Sequence, residues 1–424
     1  MKKYKLGDIA TVEISGVDKK ITDGEKEIRL CNFVDVYYNW AITIAQHDSF
    51  MLATARPNEI SKFQLKKGQV ALTKDSETRD DIGISTYIAD DFENVILGYH
   101  CALISPNKDI LDGCYLNALL HTDYAKKYFA CNASGSGQRY ALSVEALNSF
   151  PVPIIPLHEQ KQIGEIFSAL DKKIELNRQI NQNLEAMAKQ FYDYWFVQFD
   201  FPNEEGKPYK SSGGKMVWNE KLKRNIPVGW HCGNLFEIAV FTNGLACQKF
   251  RPKDDEESLP VIKIREMHDG ISDDTEEVTS NIPESVKVYN GDVLFSWSAS
   301  LEVMLWAYGL GGLNQHIFKV TSANDFPKSF YYFQLLDYID VFKKVAEARK
   351  TTMGHITQDH LQQSTIAIPD NKDIAVRFEE LISPIFEQVV KLHEEISYLI
   401  KQRDELLPLL MNGQVSVNSD LSLG

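Results

Sequence analysis

Two long stretches of the chain place apolar residues at alternating steps of three and four. The first covers residues 159–197, and its first 32 residues contain no proline and a single glycine, Gly164. This spacing is typical of the a/d seam of a coiled coil, and a helix of that length would span roughly 55–60 Å. The apolar positions of this seam are Phe167, Leu170, Ile174, Leu184, Ala188 and Phe191.

The second stretch lies about 216 residues further along the chain and has the same spacing, interrupted by Arg403. A lone amphipathic helix would leave its apolar face in water, so the matching lengths predict that the two helices pack together. The alternative is two ordinary core helices with separate partners. Asn177 and Asn181 interrupt the first seam and are expected to disfavour slipped pairings. The second seam consists of Ile382, Ile385, Val389, Leu392, Ile396, Leu399, Leu406 and Leu410.

Three shorter patterns also occur twice in the same order. "LGDIA" at Leu6 returns as "LFEIA" at Leu235, "KKGQVALT" at Lys66 as "YNGDVLFS" at Tyr289, and "LSVEALNSFPVPI" as "ITQDHLQQSTIAI". The runs "VALTK" and "VLFSW" behind a glycine predict strands, whereas "SFYYFQLLDYIDVFKKVA" from Ser329 predicts a helix. The chain is therefore interpreted as one α+β unit used twice, each copy being a globular part followed by a long helix. Two equivalent halves predict helices that run antiparallel.

These patterns predict six segments. We expect a globular domain at 1–155, a long helix at 156–200, a connector at 201–230, a second globular domain at 231–369, a second long helix at 370–413 and a tail at 414–424. The connector is assigned because residues 201–230 are rich in Gly, Pro, Ser and Lys.

Composition excludes several classes of protein. A hydrophobic fraction of 44% in 424 residues allows two or three cores. No apolar run reaches membrane-spanning length, and the basic N-terminus lacks the apolar region of a signal peptide. The six cysteines form no CxxC pair and no zinc spacing, which favours a reduced, cytoplasmic location. A net charge of −14 excludes a polycation, so any nucleic-acid surface must be local.

Catalytic signatures are absent from the sequence. It contains no Asp/Asn-Pro-Pro-Tyr/Phe stretch, no GxGxxG and no phosphate-binding GxxxxGK[ST] loop. Glu205-Gly206-Lys207 matches the ExK part of a nuclease metal site. It lies in the connector, however, and the Pro-Asp pair that such a site needs upstream is missing. We interpret it as a solvated charged loop, so a nuclease or methylase acting alone is disfavoured.

The chain resembles the specificity subunit of type I restriction–modification systems. The resemblance rests on "GDVLFSW", "IPVGW", "FPNEEGKPYKSSGGKMVW" and "IPLHEQKQIGEIFSALDKKIELNRQINQNLEAMAKQFYDYWF". It covers essentially the whole chain and is most specific in the connector and the first long helix. One departure is that "EQ" at Glu159–Gln160 has no clear counterpart in "DNKDIAVRF" of the second helix.

The resemblance implies an α+β fold with two target-recognition domains joined by two long antiparallel coiled-coil helices. It implies a non-catalytic subunit that reads two half-sites of double-stranded DNA, separated by a fixed spacer. The partners would be two modification (adenine methyltransferase) subunits and, through them, restriction subunits. S-adenosylmethionine, ATP and Mg are expected in those partners, with no cofactor or metal in this chain. The alternative is a coiled-coil assembly protein without direct DNA readout.

Neither globular part is basic overall, so a DNA-binding face would need segregated charges. Residues 1–155 hold 17 basic and 20 acidic side chains, and residues 222–369 hold 14 and 19. Basic and amide residues gather in short segments, where small neighbours would let the backbone approach phosphates and side chains would supply donors to phosphates or bases. The candidate DNA-binding residues are Lys74, Arg79, Ser134, Ser136, Gln138, Arg139, Tyr140, Lys249, Arg251, Lys263, Arg265, Asn314, Gln315, Arg349, Lys350, Thr351 and His355.

Two loops, two histidines and one aromatic run have further features that indicate their roles. The loops "SGSGQRYALS" and "RKTTMGHITQ" precede the third repeated pattern and are assigned to DNA contact, with solvated loops as the alternative. His100 and His316 are interpreted as framework histidines, with base-reading residues as the alternative. The aromatic run "FYDYWFVQFDF" from Phe191 is expected to be mostly core, with any remainder available to the methyltransferase subunit.

Overall fold

A computed structural model describes residues 2–136, 139–253, 255–272, 274–298, 300–348 and 356–415. The chain divides into two compact units. Unit 1 comprises residues 1–175 and 399–424, and unit 2 comprises residues 176–398. Each long helix contributes one part of its length to each unit.

Unit 1 is built around a five-stranded sheet in the order β2-β10-β6-β8-β4, accompanied by smaller sheets. Its strands are β1 (Lys2–Lys5), β2 (Ala10–Ile14), β3 (Lys26–Cys31), β4 (Ala41–Ile42), β5 (Met51–Ala55), β6 (Val70–Thr73), β7 (Asp75–Ser76), β8 (Ser85–Ile88), β9 (Val95–Leu97), β10 (Cys101–Pro106), β11 (Ser134–Ser136), β12 (Arg139–Ala141) and β13 (Pro151–Ile154). Its shorter helices are α1 (Leu6–Ile9), α2 (Phe33–Tyr38), α3 (Pro57–Phe63), α4 (Gly113–Leu120), α5 (Asp123–Asn132) and α6 (Val144–Asn148). The first long helix is α7 (Leu157–Tyr192).

Unit 2 has a four-stranded sheet in the order β17-β24-β21-β22 and a second in the order β19-β18-β23-β20. Its strands are β14 (Met216–Asn219), β15 (Arg224–Pro227), β16 (Trp230–Gly233), β17 (Ala239–Asn243), β18 (Ser258–Ile262), β19 (Glu277–Thr279), β20 (Lys287–Val288), β21 (Val293–Ser296), β22 (Glu302–Leu305), β23 (Gly311–Leu313), β24 (Ile317–Ser322) and β25 (Ile366–Pro369). Its helices are α8 (Leu235–Ile238), α9 (Ile264–Asp269), α10 (Lys328–Ala348), α11 (Gln358–Gln362) and the second long helix, α12 (Asp373–Met411).

The two units repeat one topology, as the sequence predicts. β6 pairs antiparallel with β10, which pairs antiparallel with β2. In unit 2, β21 pairs in the same way with β24, and β24 with β17. All four residues of β6 and of β21 are buried, which explains their unbroken apolar runs. Gly68 and Gly291 begin these strands from positive φ angles of +95° and +84°, a conformation that glycine adopts without strain.

The long helices pack antiparallel, which confirms the predicted arrangement. Within unit 2, Asn181 Nδ2 of α7 donates to the Val389 carbonyl of α12 at 3.3 Å. Further along α7, the Tyr192 ring lies 6.2 Å from the ring of Phe378. Residue numbers thus rise along α7 while they fall along α12. Within unit 1, the C-terminal turns of α12 join the core that holds the N-terminal part of α7, through Leu407, Leu410 and Met411.

The seam also contains polar residues at its centre. Asn177 is fully buried and Asn181 is 3% exposed. The side-chain nitrogen and oxygen of Asn177 have no hydrogen-bond partner among the described residues. Since such groups are costly to bury, the middle of the seam is less stable than an apolar seam would be.

Two polar or small residues dock α7 on the globular part of unit 1. Gln160 is fully buried; its amide donates to the carbonyls of Ile110 and Ile155 at 2.9 and 2.8 Å. Gly164 leaves no room for a side chain, because a Cβ there would lie 2.6 Å from the Cβ of Cys114. The single glycine of the first seam therefore permits close packing of α7 on α4.

Arg403, which interrupts the second seam, contacts an aromatic ring of unit 1. The Arg403 guanidinium lies 4.8 Å from the centre of the Trp40 ring. The same ring is 4.2 Å from His121 and 5.9 Å from Phe167. His121 Nε2 lies 2.9 Å from the carbonyl of Ser85, and burial lowers the pKa of His121 to about 3.

The aromatic run that ends α7 is mostly core, as predicted. A π-helical turn, Asp193–Val197, follows α7. Tyr192, Trp195, Phe196, Phe199 and Phe201 are all less than 10% exposed and belong to the main core of unit 2. Tyr194 remains 38% exposed.

Candidate nucleic-acid interface

In unit 1, polar side chains gather where the central strand β6 ends. The Asp75 carboxylate is contacted by Lys74 Nζ at 2.7 Å and by His100 Nδ1 at 2.5 Å. Burial by itself raises the pKa of Asp75, but the hydrogen bonds from Lys74 and His100 outweigh it and leave that pKa below its usual value. Asp75 is therefore an ionised acceptor that orients both of its neighbours.

His100 has an unusual backbone at this site. Its φ is +72°, a left-handed conformation that is uncommon for residues other than glycine and costs about 1–3 kcal/mol. The His100 carbonyl accepts a hydrogen bond from the Lys74 amide at 2.9 Å. The Tyr99 ring lies 3.8 Å from the imidazole, and Lys74 Nζ lies 5.6 Å from the Tyr99 ring.

The β11–β12 hairpin brings further predicted residues to the same place. β12 pairs with β7, so that Tyr140 faces Ser76. Arg139 Nη2 then lies 3.4 Å from His100 Nδ1, and the Arg79 guanidinium lies 5.2 Å from the Tyr140 ring. Asp75 and Arg139 both approach Nδ1, and the shorter contact, to Asp75, is the one we assign as the hydrogen bond of the ring.

The small residues of this loop have a structural role as well. A Cβ on Gly135 would lie 2.1 Å from the Arg139 carbonyl, so glycine is required for the hairpin. The Ser134 hydroxyl donates to the carbonyl of Ala141 at 3.2 Å. The side chain of Ser136 and the whole of Gln138 lie outside the described residues.

Unit 2 repeats the backbone frame of this site. The amide of Trp297 donates to the His316 carbonyl at 3.3 Å, as Lys74 does to His100. The amide of Ile356 donates to the Trp297 carbonyl at 3.0 Å, and the equivalent bond in unit 1 joins Leu142 to Lys74 at 2.8 Å. The two predicted loops thus end at equivalent positions. Four candidates of the second loop, Arg349, Lys350, Thr351 and His355, lie outside the described residues.

The side chains at the unit 2 site differ from those of unit 1. The Trp297 ring is 5.6 Å from His316, and Gln315 Nε2 lies 3.3 Å from His316 Nε2. Asn314 is only 8% exposed; its side-chain oxygen accepts from the His316 amide at 3.3 Å. Asn314 therefore shapes the turn, whereas His316 is exposed.

The remaining predicted cations of unit 2 fall into two groups. Lys249 and Arg251 line an open groove, whose other lining residues are Phe250, Lys253, Asp255, Glu256 and Thr279. Its segment adjoins the His316 turn, because the carbonyl of Leu245 accepts from the Gln315 amide at 2.8 Å.

The other group is neutralised by acids. Lys263 pairs with Glu276 at 2.6 Å, and Arg265 pairs with Glu266 at 2.7 Å. Acids are also present at the first group, because Asp255 and Glu256 line the groove of Lys249 and Arg251.

His100 and His316, which the sequence analysis interprets as framework histidines, lie at these two sites although they are not among the candidate DNA-binding residues. A signal was present, because both residues immediately precede a repeated strand: "CALISP" follows His100 and "IFKVTS" follows His316. The short repeated patterns did not extend to these strands, so the equivalence became visible only from strand pairing.

Candidate metal-binding groups and membrane-spanning helices are both absent from the described part of the chain. No group of three or more His, Cys, Asp or Glu side chains there is arranged to hold a metal ion. Among the same residues, every helix is too short or too polar to cross a bilayer.

Comparison with known proteins identifies the class. A family model for the type I restriction modification DNA specificity domain matches residues 1–186 and 227–402. The chain therefore belongs to the type I specificity family, with the matched domain present twice.

Individual relatives agree with this assignment. The chain is 24% identical over 319 residues to the type I restriction enzyme MjaIX specificity subunit of Methanocaldococcus jannaschii, covering 73% of this chain and 71% of the relative. It is 24% identical over 415 residues to the HindI specificity subunit of Haemophilus influenzae, covering 84% and 88%. The crystal structure of the type I restriction–modification S subunit from M. genitalium has the same fold, with a TM-score of 0.57, 13% identity and coverage of 96% and 95%.

Proposed function

We propose that this chain reads a bipartite target in double-stranded DNA, with one half-site bound by each unit. The observation that carries the proposal is the repeated site at the end of the central strand. In both units the residue that follows the strand, Lys74 or Trp297, donates its amide to a histidine carbonyl. The carbonyl of the same residue accepts a hydrogen bond from an amide near the end of the predicted DNA-binding loop. Membership of the specificity family supports this assignment.

The chemistry of unit 1 suits DNA. Arg139 and Arg79 are close to the Lys74–Asp75–His100 cluster, and Arg side chains can bind phosphates or base edges. Because the globular part of unit 1 has more acidic than basic residues, affinity would depend on this local group of cations and would fall as salt screens them.

We further propose that the chain is a non-catalytic scaffold for two modification subunits and, through them, restriction subunits. In unit 2, α7 exposes Leu176, Ile180 and Met187 by 51, 36 and 39%. Residues spaced by four and seven share one helix face, and exposed apolar stripes are typical of protein interfaces. S-adenosylmethionine, ATP and Mg would be bound by the partner subunits.

The test of DNA reading is methylome sequencing of a host that expresses this chain with its modification subunit. We expect a methylated motif of two short specific sequences separated by a spacer of fixed length. A single uninterrupted motif would contradict bipartite reading. Co-purification of the subunits with no DNA-sequence preference would instead favour the assembly protein without direct readout.

The scaffold is tested with a triple substitution, Leu176→Glu, Ile180→Glu and Met187→Glu. Co-purification of the modification subunit should be lost while the isolated chain keeps its melting temperature. Gln182→Glu is the matched control, since Gln182 is an exposed polar residue on a different face of the same helix. Equal loss in the control and the triple variant would count against this docking face.

A further inference from the structure

Two histidines occupy the same place in the two units. His100 is the last residue before β10, and His316 is the last residue before β24. Each carbonyl is bound by the residue that follows the central strand, at 2.9 Å from Lys74 and 3.3 Å from Trp297. Both histidines therefore lie at the same edge of equivalent sheets, although of the two only His100 has a positive φ.

We propose that His100 and His316 are base-reading residues, each for one half-site. His100 would accept a hydrogen bond from the major-groove amino group of an adenine or a cytosine. This inference rests on the proposed function, because it assigns part of the sequence specificity to two side chains of the proposed DNA-binding surface.

The base class for His100 follows from its carboxylate partner. Asp75 is ionised and can only accept a hydrogen bond, so its 2.5 Å contact with His100 requires the ring proton on Nδ1. In the tautomer that has its single proton on Nδ1, Nε2 is the acceptor. In the major groove the donors are the N6 amino group of adenine and the N4 amino group of cytosine.

The surroundings of the His100 ring fit contact with a DNA base. The His100 side chain is 35% exposed. Arg139, 3.4 Å from Nδ1, is the neighbouring cation that would bind the phosphates around a read base, whereas Lys74 is paired with Asp75. The strained backbone at φ +72° is held by the Lys74 amide, and strain of this kind often occurs at functional sites.

His316 is expected to read a different base. Trp297 stands where Lys74 stands in unit 1, and Ser298 where Asp75 stands. The acceptor role of the ring is therefore not fixed by a carboxylate at that position. Gln315 Nε2, 3.3 Å from His316 Nε2, is the neighbour that would bias the ring nitrogens instead.

The test uses the two half-sites as mutual controls. His100→Asn should keep the backbone conformation, because asparagine tolerates left-handed φ angles. The substitution removes the imidazole ring and leaves a shorter side chain. His316→Asn is its counterpart. His47→Asn is the matched control, since His47 binds Asn94 at the opposite end of β9 at 2.9 Å.

Each variant is expressed with the modification subunit, and its methylome is sequenced. His100→Asn should relax one base pair of one half-site, lowering discrimination there roughly 5- to 150-fold. The other half-site should stay unchanged. His316→Asn should relax a single position of the other half-site, and His47→Asn should leave both intact. His100→Gly, which also accepts the positive φ, should reproduce the effect if the asparagine variant unfolds.

Several results would overturn this inference. One is an unchanged preference at every position; another is an equal loss of affinity on all sequences, which would indicate phosphate contact. If the wild-type chain gives no bipartite motif, the proposed function itself fails. If the wild-type motif is bipartite but both histidine variants preserve it, only the histidine inference fails.

Discussion

The buried amide of Asn177 allows a test of the seam. Its side-chain oxygen and nitrogen are buried without hydrogen-bond partners among the described residues, and each such group costs ~1–3 kcal/mol. Leucine has the same branching at Cγ, so Asn177→Leu removes the unpaired amide with little change of shape. The extra apolar contact is partly offset by some overpacking.

We expect Asn177→Leu to raise the free energy of unfolding of unit 2 by about 2 kcal/mol. Unit 2 comprises residues 176–398, and for a unit of that size 2 kcal/mol corresponds to an increase in melting temperature of ~4–8 °C. Asn181→Leu is the matched control. Since Asn181 already donates to Val389, its replacement should gain only about half as much.

Differential scanning calorimetry of the full chain measures both variants. A lower melting temperature for Asn177→Leu, or equal gains for the two variants, would refute the reasoning from unpaired polar atoms. A second readout is the methylome. If the asparagines hold the register of the seam, the leucine variant should be more stable yet methylate sites with more than one spacer length.

The remaining predictions concern DNA contact, spacer length and pH. Arg139→Ala should weaken DNA binding. If Arg139 contacts only phosphate, the slope of log affinity against log salt should decrease in magnitude by about 1. Unchanged affinity at every salt concentration would indicate that its loop is solvated and does not contact DNA. Matched insertions of four residues after Asn177 and after Leu392 add ~6 Å of helix and should lengthen the spacer by about one or two base pairs, with both half-sites unchanged in the methylome. The pKa of His121 falls to about 3 on folding, so between pH ~6.5 and 3 the unfolded chain binds one proton more than the folded chain. Unit 1 should therefore lose about 1 kcal/mol of stability per pH unit on acidification. In denaturation curves measured against pH, His121→Gln should flatten this slope, whereas His47→Gln should not.

Periodic features were the ones that the sequence could predict. The spacing of the two seams predicted α7 and α12 because burial of one helix face imposes a regular apolar period. The recurrence of "VALT" as "VLFS" predicted a repeated central strand, and strand pairing confirms it. These features depend on many residues at once, so loop changes between the two halves do not hide them.

Features that depend on one contact between distant segments could not be predicted. His100 joins the candidate site through Asp75 and Arg139, which are 25 and 39 residues away in sequence. Gln160 was noted only as a departure from the second helix, yet it is the buried link between α7 and the segment before α4. No local pattern carries such information, because each contact requires the sheet order to be known first.

The composition of unit 1 has a consequence for folding during synthesis. Its core includes Leu407, Leu410 and Met411 from the end of α12, although its other residues end at Glu175. A ribosome adding ~5–20 residues per second needs roughly 10–50 s to make the intervening segment. The part of the chain that is made first is thus completed last, and until then the apolar face of α7 around Phe167 lacks its partner. A nascent chain in this interval presents a surface for chaperones, and unit 2 has all of its residues before unit 1 does.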